Sequence, residues 1–161
     1  MIILIESIVA CLLFTIAFGG LTYFNPLSMI HDYPPAIQNK AKELGLITDE
    51  QKGYSKTDII RKIIAIIVFG LILAIVVYKF NGADTFAKGF GYSYLLWNIV
   101  NWWDAIVLDC LWFCHCKKVI IPGTEEMKEY KDYLFHIKGS LKGMLYGIPA
   151  SLLVGILVMM F

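Results

Sequence analysis

Four apolar runs alternate with polar intervals along the chain, and each is long enough to cross hydrocarbon. They cover residues 2–24, 60–80, 92–114 and 143–161. A span needs roughly 20 mostly apolar residues at about 1.5 Å rise each. The first run is interrupted only by Glu6. No lysine or arginine precedes Lys40, so this run lacks the basic start of a secretory leader and reads as a retained span. The second is built from Ile, Val, Leu and Ala around Gly70, and reaches full length when Ile60 and Phe80 are counted. The pattern predicts an all-α integral membrane protein. Residues 1–161 would form a single domain, a bundle of four transmembrane helices, with short amphipathic helices in the two longer loops.

Those loops carry their own punctuation. In the first, His31-Asp32-Tyr33-Pro34-Pro35 predicts extended backbone, because residues before proline avoid the α region. A short helix over residues 36–44 would follow, stopped at Gly45. Thr48-Asp49-Glu50-Gln51 and Ser55-Lys56-Thr57-Asp58 both have capping-box spacing. In the later loop, Ile121-Pro122-Gly123 predicts a turn that hands over to Thr124 as an N-cap. Met127, Tyr130, Leu134, Ile137 and Leu141 then recur at helical spacing. They predict an amphipathic helix running into the fourth span, either at the membrane surface or packed on the protein itself.

Composition sharpens this picture. The chain is 58% hydrophobic and 17% charged, where a soluble domain carries about 25% charge. The net charge is +1 and Arg61 is the sole arginine, so a nucleic-acid partner is not expected. The lysines concentrate in the first and third loops. The positive-inside rule therefore places residues 25–60 and 115–142 in the cytoplasm and both termini outside. The four cysteines, Cys11, Cys110, Cys114 and Cys116, are expected to remain free thiols on this reducing side.

Small residues recur every fourth position in two spans. Ser7, Cys11, Thr15 and Gly19 line the first; Gly139, Gly143, Gly147, Ser151 and Gly155 line the fourth. Such stripes let helix backbones approach closely in lipid. They predict antiparallel packing of spans one and four, or use of one stripe by a second subunit in a homo-oligomer.

The third span holds the candidate chemistry. On a 3.6-residue wheel, Asn98, Asn101, Asp104 and Asp109 share an arc of roughly 140° beside Trp102 and Trp112. A carboxylate at mid-membrane costs about 2.5–3.5 kcal/mol on insertion scales. These groups are therefore expected to face partner helices or a wet cavity. One expectation is a polar intramembrane site that binds, or binds and translocates, an ion or small polar solute. The other is a buried polar cluster that sets helix register.

A second group sits at the predicted cytoplasmic face. Asp32, Asp109, His115 and His136 would serve a membrane-embedded enzyme acting on a lipid or quinone-like substrate. His31, Cys114, His115, Cys116 and His136 are weak metal candidates, since neighbouring helical residues diverge by about 100° and cannot easily share one ion. A third expectation is a non-catalytic assembly subunit docked through the small-residue stripes. The residues name no cofactor and no substrate.

Overall fold

The first apolar run folds as one helical rod, α1 (Ile2–Phe24), within a computed structural model that describes residues 2–48 and 56–161. Its ladder loosens to π geometry at Thr15–Gly19 before tightening again. The short helix α2 spans Pro35–Glu43, and α3 spans Lys56–Asn81. After a turn at Gly82 (φ 61°), α4 spans Phe86–Trp103. It continues as a π-helix over Asp104–Trp112 and a 3-10 turn over Phe113–His115. The last helix, α5, spans Tyr133–Val158. Among the described residues there is no strand. The capping boxes around residues 49–51 and 55 lie outside the described residues.

Two helices, α1 and α5, are each long and apolar enough to cross a membrane. The segments Ile66–Asn81 and Phe86–His115 meet that test together, as a pair bent by 109°. The outer faces are greasy. Leu4, Leu13 and Ile16 of α1, Ile67 and Ile72 of α3, and Leu145 of α5 are all exposed. A water-soluble protein rarely shows so much contiguous apolar surface.

The packing centres on α4. It contacts α1 on one side and α5 on the other, and α3 leans on α5 and α4. Helices α1 and α5 share no interface of comparable extent, which corrects the expected pairing of spans one and four. Both small-residue stripes instead face α4 and its continuation. Trp97 Nε1 donates to Gly143 O at 2.9 Å, and Trp103 Nε1 donates to Thr15 Oγ1 at 3.0 Å. The backbones of Gly89 and Gly155 nearly touch, so that a Cβ built on Gly89 would lie 3.1 Å from Gly155 Cα. The physical reason is complementarity. Two stripes of small residues facing each other would leave the bulky indoles and amides of α4 without hollows or acceptors, whereas stripe against α4 provides both.

At one end of the bundle the two long loops fold together. Tyr33, Ile37, Phe113, Val119, Ile121 and Tyr130 are buried against one another. The Tyr33 hydroxyl donates to Val119 O at 2.8 Å. The expected stop at Gly45 holds: its φ is 70°, and Leu46 N donates to Ala41 O at 3.0 Å, as in a Schellman motif. The turn also holds at Ile121-Pro122-Gly123, where Thr124 N donates to Ile121 O at 3.1 Å.

The amphipathic helix expected from Thr124 does not form in its first half. Residues 125–132 make turns and one short 3-10 segment, Lys128–Lys131. Thr124 Oγ1 donates to Ile121 O at 2.7 Å and meets the Tyr130 hydroxyl at 2.7 Å. That hydroxyl also accepts from Ile121 N at 2.9 Å. Burying Tyr130 between the Tyr33 and Phe113 rings with its hydroxyl satisfied outweighs one more turn of exposed helix. The cap passes to Asp132, whose Oδ1 accepts from Phe135 N at 2.9 Å.

Candidate functional site

Inside the end of the bundle nearest the folded loops lies a cavity of about 340 Å³, enclosed by α1, the π-helix after α4, and α5. Its polar lining includes Asn101, Asp104, Asp109, His136 and Ser140, with His31 and Asp32 at the loop side. Phe14, Phe18, Phe113 and Phe135 supply the apolar walls. No lysine or arginine lies among the described residues that line it.

The π-helix is what joins the two carboxylates. In an α-helix, residues five apart are offset by about 140°. In i→i+5 geometry the fifth residue sits one turn above the first. Asp104 and Asp109 begin and nearly end such a turn, and both face the cavity. The 3.6-residue wheel placed them on the edges of a wide arc and missed the π geometry that turns both toward one cavity. The matching π segment Thr15–Gly19 of α1 packs against the π-helix across the bundle.

Each polar group has a distinct setting. Asp109 Oδ2 lies 3.0 Å from His136 Nδ1. His136 is only 4% exposed, held between the edges of Phe113 and Phe135, and its Nε2 is buried without a partner. Asn101 Nδ2 donates to Ser140 O at 3.0 Å and to Ser140 Oγ at 2.7 Å, so α5 holds this amide in place. Asp104 is half-buried. No hydrogen bond or ion pair engages it among the described residues.

The sequence candidates therefore divide. Asn101, Asp104, Asp109 and Trp112 line the cavity; Asn98 and Trp102 do not. Asn98 turns back on its own helix, donating to Tyr94 O at 2.8 Å, and its Oδ1 is buried without a partner. Of the second group, Asp32, Asp109 and His136 reach the cavity and His115 does not. His115 is exposed, with Nε2 3.3 Å from the Tyr133 hydroxyl. Cys114 is buried in the loop cluster. Among the described residues no three His, Cys, Asp or Glu side chains gather closely enough to hold a metal ion. Ser140 was missed; its signal is the helical spacing His136-x-x-x-Ser140, which puts both on one face of α5.

No protein-family model matches the chain, and neither a curated protein nor a solved structure matches it.

Proposed function

We propose that this chain is a four-span membrane protein whose Asp104–Asp109 cavity binds, and carries through the bundle, a small cation or cationic polar solute. The observation that carries the reading is Asp104. Its half-buried carboxylate borders the cavity together with Asp109, and no lysine or arginine lies among the described residues of the lining. Removing such a group from bulk water costs several kcal/mol unless a ligand, a proton or water offsets it. The exposed isoleucines of α3 support a crossing of its own. The lysine-rich loops support a cytoplasmic position for the end where the cavity lies.

The test is flux of sodium, potassium and methylammonium into proteoliposomes. Asp104→Asn and Asp109→Asn should each abolish it while circular dichroism stays unchanged. Unaltered flux in both variants removes the proposal.

The Asp109–His136 pair favours a second reading. A carboxylate orienting a buried imidazole is the arrangement of a general acid–base pair, and the aromatic walls suit a lipid or quinone-like substrate. On that reading His136→Asn abolishes turnover of such a substrate, and Asp104→Asn spares it.

A further inference from the structure

The polar cavity has acceptors on two of its walls. Asp104 and Asp109 come from the π-helix after α4, and His136 comes from α5. His136 Nδ1 lies 3.0 Å from Asp109 Oδ2. A carboxylate only accepts, so Nδ1 donates, and a neutral ring keeps the lone pair on Nε2. That nitrogen is buried without a partner, on a residue only 4% exposed. A buried acceptor left unsatisfied is costly. The ring lines the cavity, so a donor on the cavity's occupant would satisfy it.

These acceptors do not converge. Among the described residues no three His, Cys, Asp or Glu side chains gather closely enough to surround one metal ion. A metal ion, or the single nitrogen of an ammonium, needs acceptors within about 3 Å of one point. A guanidinium instead carries its N–H donors on separate nitrogens, directed outward around a rigid plane. Its opposite edges reach acceptors roughly 8 Å apart. Its faces are weakly hydrated and stack on aromatic rings. The cavity supplies such rings. Phe14 and Phe18 of α1, stacked with centroids 4.3 Å apart, line it together with Phe135 of α5.

From the orphaned Nε2, the spread carboxylates and the phenylalanine walls we infer that the ligand is a guanidinium-type cation, held at its edges by Asp104, Asp109 and His136. The inference rests on the cation-binding reading above and names its ligand class.

The experiment titrates the full chain, in nanodiscs of a zwitterionic phospholipid, with guanidinium, methylammonium and sodium chlorides at constant ionic strength. Concentrations stay far below those that denature, and tryptophan emission is followed because Trp112 lines the cavity. One lost hydrogen bond to a charged group weakens binding at least about tenfold. Methylammonium and sodium should therefore bind at least about tenfold more weakly than guanidinium. Asp104→Asn should remove the response to all three. His136→Asn keeps a donor near the Nδ1 position for Asp109 and deletes Nε2. It should weaken guanidinium about tenfold and leave methylammonium unchanged. Phe18→Leu, on another helix, tests the stacking face should the α5 variant fail to assemble. It should weaken guanidinium about two- to fivefold.

Equal affinity for the three cations, or a response to methylammonium and sodium alone, overturns the guanidinium and leaves the small-cation site standing. An undiminished preference for guanidinium in both His136→Asn and Phe18→Leu also overturns it. No response to any of the three, or responses that survive Asp104→Asn, overturns both readings together.

Discussion

Replacing Gly147 with alanine adds one methyl group where α5 passes beneath the Trp97 indole. A Cβ there would lie 2.7 Å from Trp97 Nε1 and 2.9 Å from Cγ, so the ring has to move. Moving it stretches the Nε1 bond to Gly143 O, now 2.9 Å. Overpacking of this kind costs about 1–3 kcal/mol, and the strained hydrogen bond adds about 1 kcal/mol. Alanine returns about 1 kcal/mol through its better helix propensity. The net expectation is a loss of about 1–3 kcal/mol. Two turns earlier on the same helix, Gly139 has nothing within 4 Å of its built Cβ. There the same substitution should gain about 1 kcal/mol. Reversible unfolding by dodecyl sulfate in mixed micelles, followed by circular dichroism, measures both. A Trp97→Leu background should recover at least about 1 kcal/mol of the Gly147→Ala loss, because the two sites are in contact. Equal stability of Gly139→Ala and Gly147→Ala would refute the claim that the stripe of α5 packs under α4.

The loop cluster makes a pH prediction. Burial pushes the Tyr33 phenol well above its ordinary value, helped by Tyr130, Asp32 and Cys116, and burial also raises Tyr130. An unfolded tyrosine ionises near about 10, so the stability these groups contribute is complete below that pH and is lost as pH rises above it. Tyr33→Phe should cost about 1 kcal/mol at neutral pH through the lost bond to Val119 O, and should flatten the alkaline fall in unfolding measured by urea. Tyr130→Phe strands the Ile121 N–H, and should speed amide exchange at residue 121 after a loss of about 1–3 kcal/mol. For the proposed topology, a variant keeping Cys116 alone should react with a membrane-impermeant maleimide from the cytoplasmic side only. Labelling from the opposite side would invert the assignment of the loops.

The length and apolarity of the runs determined the helical class from sequence alone. A backbone inside hydrocarbon has to satisfy its own hydrogen bonds, and an apolar run of that length does so as a helix. Local chemistry likewise determined the stop at Gly45 and the turn at Pro122-Gly123, because positive φ and proline geometry act within a few residues. That Asp104 and Asp109 would turn away from the apolar outer face was also legible, and both line the cavity. What surrounds them was not. The meeting of the two carboxylates at one cavity depends on π geometry that a regular wheel does not contain. The inclusion of His136, the exclusion of His115 and the turning away of Asn98 depend on how α4 seats against α5. Likewise the stripes of small residues announced close contacts but not their partner. Only the shape of Trp97, Trp103 and Asn101 chose α4, and only the burial of Tyr130 took the cap from Thr124 and gave it to Asp132. Such choices are sums over side chains distant in sequence, and no local pattern records them.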